Sequence, residues 1–302
     1  MSTAFFYHDD CTLHDMGNGH PESPFRIEAI RDKLKQTGLL DDLDQVTPQE
    51  VDRKYLQGVH PENYIAQLEA HRPGEGCIMV DPDTGLMKTS MHAAYLASGA
   101  TIEATDMVLG GQTDTAFCAV RPPGHHAERN KTMGFCFFNN IAVAAAHALN
   151  FHGLERVAIV DFDVHQGNGT IDIFQDDPRV LVCSSFEYPL YPYSHYDIDR
   201  QNIVNSPLEA FSKGLQFRRT VERDWLHRLQ DHKPQLVLIS AGFDAHKYDP
   251  LANLELEEKD YRWVTNMLMD VAKSYSKGRI VSTLEGGYNL RALASSVEAH
   301  LE

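Results

Sequence analysis

The chain has 302 residues, 42% of them hydrophobic and 23% charged, with 27 basic against 43 acidic side chains for a net charge of −16. That length suits one large α/β domain or two small ones with an ample core, and the composition excludes disordered, collagen-like and coiled-coil chains. The acidic balance argues against nucleic-acid binding through a basic face, and no apolar run approaches the ~20 residues of a membrane span.

In chain order, the start Met1-Ser2-Thr3-Ala4-Phe5 has no basic stretch leading into an apolar one, which argues against a secretory signal. Prolines open the first two predicted helices, 24–36 and 61–70, at first-turn positions where the missing N–H is harmless. A long loop follows at 72–88, with three Gly and two Pro. Next come a helix over Ser90–Leu109, a strand at 115–120, a helix at 139–151, and strands at 156–161 and 179–184. A second long loop, 187–207, contains four Tyr and three Pro. A helix at 208–230, a strand at 235–240, a helix at 257–277 and a strand at 279–284 complete the series.

The strands are near-continuous apolar runs, as strands buried on both faces of a parallel sheet are. The β-α-β-α order predicts an open, mostly parallel α/β sheet of about eight strands with helices on both faces. No Gly/Ser or Pro-rich linker divides residues 1–302, so one domain is expected. The five cysteines (Cys11, Cys77, Cys118, Cys136, Cys183) are odd in number and form no C-x-x-C pair, which fits a reducing compartment and a cytoplasmic location. A homo-oligomer stays open.

Ligands of parallel α/β sheets bind beyond the carboxyl ends of the strands. Strand 115–120 is followed by Arg121-Pro122-Pro123-Gly124-His125-His126, and strand 156–161 by Asp161-Phe162-Asp163-Val164-His165-Gln166-Gly167-Asn168-Gly169. Strand 235–240 is followed by Ala241-Gly242-Phe243-Asp244, and the last by Glu285-Gly286-Gly287-Tyr288. In Asp161-x-Asp163-x-His165 the three side chains share one side if the strand continues, and two carboxylates with an imidazole suit Zn²⁺. A calcium loop fails, because Gln166 stands where such a loop needs Gly and the segment follows a strand. Helix capping by strand-end acids is the plainer alternative. His125-His126 reach one pocket only from a loop, which Pro-Pro-Gly supplies. The stretch Gly134-Phe135-Cys136-Phe137-Phe138-Asn139-Asn140 reads as an apolar slot wall or as core.

These motifs, in this order over residues 5 to 289, resemble the zinc-dependent histone deacetylase family of the arginase/deacetylase fold. His20-Pro-Glu-Ser-Pro-Phe-Arg26 resembles its class II branch and bacterial relatives. The resemblance implies Asp163, His165 and Asp244 as zinc ligands and His125 and His126 as the active-site pair. It implies Asp161 and Asn168 as their respective orienting partners and Tyr288 as donor to the developing oxyanion. Gly134, Phe135 and Tyr191 would flank an acyl-lysine tunnel, with Leu251 at its mouth. Asp161, Asp163 and His165 backbone oxygens, with Ser184 and Ser185, would hold a structural K⁺. Pro192-Tyr-Ser-His195 departs from the family's Pro-Gly-Thr-Gly turn, so the rim there differs.

The expected activity is hydrolysis of acetyl-lysine in proteins or peptides, releasing acetate, with either histidine as general base or acid. Acetylated polyamines or other small amides are the rival substrates. Polyamine-selective relatives carry Glu seven residues after the second zinc Asp, where this chain has Leu251. A silent acyl-lysine-binding module and an arginase-type binuclear manganese site are the remaining alternatives. The first is weakened because every catalytic position is filled, the second because it wants more carboxylates.

Overall fold

A computed structural model describes residues 2–302. Ten strands and ten α-helices appear among them. The chain runs β1 (Thr3–Phe6), α1 (Phe25–Thr37), β2 (Asp44–Val46), α2 (Arg53–Leu56), α3 (Glu62–His71), β3 (Cys77–Met79), β4 (Gly85–Met87), α4 (Ser90–Leu109), β5 (Thr115–Cys118) and α5 (Asn140–Asn150). It continues through β6 (Val157–Asp161), α6 (Asn168–Phe174), β7 (Val180–Glu187), β8 (Ile203–Leu208), α7 (Gly214–Asp224), α8 (Leu226–His232), β9 (Leu236–Ala241), α9 (Glu258–Tyr275), β10 (Ile280–Leu284) and α10 (Leu290–Leu301).

Eight strands form one sheet in the order β2-β1-β5-β10-β9-β6-β7-β8, every pair parallel. The central strands are buried along their whole length, which accounts for their unbroken apolar sequences. Helices α1, α9 and α10 pack together as one group and α4 with α5 as another, flanking the sheet. The predicted α/β sheet is therefore present, and it is wholly parallel.

The register positions the chemistry. Asp161 pairs with Ser240 on one side and Ser184 on the other, and Leu284 pairs with Ala241. The four motif-bearing segments thus leave four adjacent strands, β5, β10, β9 and β6, at one edge.

Several expectations need correction. The helix expected at 208–230 starts only at Gly214, because Leu208 ends β8, and Trp225 separates α7 from α8. The loop 187–207 contains β8, an edge strand that tolerates Pro207 because only one side needs pairing. The loop 72–88 contains the β3–β4 hairpin. Strand β6 ends at Asp161, so Asp161, Asp163 and His165 do not continue a strand and do not converge on one point.

Candidate active site

Asp163, His165 and Asp244 are buried, and their ligand atoms all lie within 4.8 Å of one another. His165 Nδ1 stands 3.0 Å from Asp163 Oδ1 and 3.2 Å from Asp244 Oδ2. Asp244 Oδ1 accepts from Val164 N at 2.8 Å, and Asp163 Oδ2 from Gly286 N at 2.8 Å. Asp244 Oδ2 is buried without a hydrogen bond. Two buried carboxylates side by side, one with an orphaned oxygen, form a pair that a cation would balance. A Cβ at Gly286 would come 2.0 Å from Asp244 Oδ2, so only glycine lets the carboxylates approach this turn. The donor set, two oxygens and an imidazole nitrogen, fits Zn²⁺ with a coordination position left over.

Asp161 turns away from this group. Its Oδ2 accepts from His125 Nδ1 at 2.9 Å, and its Oδ1 from Asp163 N at 3.1 Å. His126 Nδ1 donates to Asn168 Oδ1 at 2.6 Å, while Asn168 Nδ2 donates to Glu128 Oε1 at 2.8 Å. Since Asn168 Oδ1 only accepts, His126 carries its proton on Nδ1 and leaves Nε2 as a lone pair. The two imidazole rings lie 4.0 Å apart.

Electrostatics separate the pair. Burial works against charge on His125, but the Asp163, Asp161 and Glu285 carboxylates outweigh it and raise its pKa well above the imidazole range. Burial, then the neighbouring His125 and His165, push His126 well below that range. A bound cation would lower His126 further, so its sign does not depend on metal. A neutral imidazole with a free Nε2 is the form a general base needs. Placing a carboxylate on His126 Nδ1 should raise its pKa by about a unit or more. Asn168→Asp, made with Glu128→Gln to avoid a carboxylate pair, is expected to move the acid limb of kcat/KM to higher pH. The neutral form must do the work, so a higher pKa demands a higher pH. An unmoved acid limb would show that another group sets it.

Tyr288 stands on the turn after β10. Burial first, then Asp244, raise its pKa well above the usual phenol value, so its hydroxyl stays a donor. Phe135 meets Tyr288 edge-on at 6.1 Å, and Tyr191 meets His126 edge-on at 5.1 Å. One aromatic thus adjoins Tyr288 and the other the histidines. Gly134 has φ 56°, and a Cβ there would lie 2.3 Å from the His126 ring, so glycine is required where the loop crosses that ring. Asp249 Oδ2 accepts from Tyr288 N at 2.7 Å and its Oδ1 from Leu251 N at 3.0 Å, which brings the Leu251 turn beside Tyr288. Leu251 is 37% exposed. Ser184 and Ser185 are buried on β7, Ser184 in register with Asp161.

Sequence reasoning gave no role to a buried charge network behind these groups. Glu285 Oε2 accepts from Gly124 N and His125 N at 2.7 and 3.1 Å, and Ser240 Oγ donates to Oε1. Glu22 accepts from Arg121 through both oxygens and from Arg26 Nη1 at 3.2 Å; all three are fully buried. Arg26 also donates to the carbonyls of Glu285 and Gly287. One carboxylate thus ties the segment before His125 to the turn before Tyr288. Burial opposes charge on Glu22, but Arg121 and Arg26 outweigh it and lower its pKa to about 2. Glu22→Gln leaves two guanidiniums buried without their anion, which should cost ~3–5 kcal/mol of stability. Urea unfolding measures this, and an unchanged midpoint would mean that the arginines are satisfied by carbonyls alone.

Comparison with known proteins places this arrangement. The chain is 34% identical to a histone deacetylase-like amidohydrolase of Pseudomonas aeruginosa, over 95% of this chain and 82% of the relative. It is 34% identical to the polyamine deacetylase HDAC10 of Homo sapiens, over 98% of this chain but 47% of the relative. The solved structure of the HDA15 HD domain superimposes with a TM-score of 0.94 at 31% identity, covering 99% of this chain and 88% of that one. The family described as histone deacetylase domain matches residues 20–302, and the chain belongs to that family.

Proposed function

We propose that the protein is a zinc-dependent amidohydrolase that removes acetyl groups from the ε-amine of lysine in proteins or peptides. The observation that carries this reading is the buried Asp163–His165–Asp244 group with its orphaned Asp244 oxygen, beside the paired histidines held by Asp161 and Asn168. A zinc ion held there would polarise the amide carbonyl and acidify the attacking water. His126 Nε2 takes the proton of that water. His125, oriented by Asp161, stands next to it and supplies a proton toward the leaving amine. The Tyr288 hydroxyl donates to the carbonyl oxygen as negative charge builds on it. Phe135 and Tyr191 clamp the lysine chain, and Gly134 leaves room for it. K⁺ at the backbone of Asp161, Asp163 and His165 with Ser184 and Ser185 would brace the loop structurally. All five cysteines are free, which supports a reducing, cytoplasmic setting.

The second reading is an acetylpolyamine deacetylase, favoured by the likeness to a protein named for that activity. Leu251 argues against it, because an apolar side chain beside Tyr288 offers nothing to a second ammonium group. The test is kcat/KM for an acetyl-lysine peptide against acetylspermidine, in wild type and Leu251→Glu. Wild type should prefer the peptide. The variant should shift the ratio toward the polyamine by several-fold, the effect of about 1 kcal/mol from a half-exposed charge pair. A wild-type preference for acetylspermidine that Leu251→Glu does not change would overturn the peptide assignment.

A further inference from the structure

We propose that Asp106, His147 and His152 form a second divalent-cation site, of the zinc, nickel or copper class, at the sheet edge away from the catalytic groups. Asp106 lies in the last turn of α4, His147 in the last turn of α5 and His152 in the turn beyond it. Both histidine Nε2 atoms point at one atom, Asp106 Oδ1, each at 2.6 Å. The ligand atoms of all three lie within 4.8 Å of one another.

The His147 ring is held independently of Asp106. It stacks on Phe151 at 5.2 Å and meets Tyr55 edge-on at 4.9 Å. Nothing engages its buried Nδ1, so Nε2 carries the proton in the contact with Asp106 and passes it to Nδ1 when an ion takes its place.

Two imidazoles and one carboxylate suit Zn²⁺, Ni²⁺ or Cu²⁺ and do not suit the oxygen-seeking Mg²⁺ or Ca²⁺. The 2.6 Å spacings are hydrogen-bond distances. Bonds of about 2.0–2.1 Å to a tetrahedral ion require ligands roughly 3.3 Å apart. His152 and Asp106 are 30% and 49% exposed on their side chains, so neither is boxed in by surrounding packing against opening by that amount. The site is remote from the catalytic one. Helix α5 begins where Asn140 Nδ2 reaches the Pro122 carbonyl, and His147 lies about 10 Å farther along it. The strands' starting edge, not their chemical edge, carries the cluster.

The experiment is equilibrium dialysis of the enzyme, its catalytic equivalent loaded, against micromolar Zn²⁺ with elemental analysis. His152→Gln and Asp106→Asn run in parallel. Wild type should hold one equivalent more than either variant, with affinity reduced about tenfold or further in each. Acetate release should be the same in all three, which also shows that the variants fold. Because the readout is a difference between wild type and variants, it stands whatever ion fills the catalytic site. Equal metal content in all three proteins, or no extra equivalent in wild type, would overturn the proposal.

Discussion

Asp244→Asn should abolish tight metal binding and reduce kcat/KM on the order of 10³-fold or more. The Asn side chain keeps an oxygen for Val164 N, so the local turn survives. What it loses is the negative charge at the oxygen that is buried and unpartnered. Lewis-acid stabilisation amounts to several kcal/mol, and each 1.36 kcal/mol is tenfold in rate. Elemental analysis and the rate are to be measured on the same sample. Full metal occupancy in this variant would remove Asp244 from the ligand set.

Tyr288→Phe should lower kcat on the order of 10²–10³-fold and leave KM nearly unchanged, because the hydroxyl's bond strengthens only as charge develops on the substrate oxygen. The ring contacts survive the change. Phe135 still meets its edge, and Arg26 still lies over its face, with the guanidinium carbon 5.0 Å from the ring centre. Stability should therefore be unaffected. A near-silent variant would mean that Tyr288 serves only to pack the turn.

The strand ends were legible because apolar runs stop abruptly at His, Asp and Tyr flanked by glycine. Those four segments leave four neighbouring strands, so reading each end separately was enough to assemble one edge. The direction of Asp161 was not legible from strand alternation, because β6 ends there and the next residues turn. Its pairing with His125 came from the family resemblance alone. Strand β8 was hidden because an edge strand with one neighbour needs neither a continuous apolar run nor freedom from proline. Strands β1 and β2, of four and three residues, are too short for a period to register. Helix α6 opens with Asn168-Gly169, which reads as a turn.

Glu22, Arg26 and Glu285 belong to a different kind of omission. A buried carboxylate and a solvated one are the same letter, and the ion pairs of Glu22 with Arg121 span 99 residues. Only packing shows that they hold the His125 and Tyr288 segments against each other. Asp249 is similar. Its carboxylate joins the Leu251 turn to Tyr288, a contact that no local spacing announces.

The most direct test is metal reconstitution. The protein is stripped with a chelator, and acetate release from an acetyl-lysine peptide is followed as Zn²⁺ is returned. His152→Gln is used as the sample, so that any ion at the remote histidines does not enter the count. Activity should be absent from the stripped protein and should return in proportion to zinc, saturating at one equivalent per chain. Acetate release by the metal-free protein at the full rate, or none after one equivalent is bound, would contradict the account.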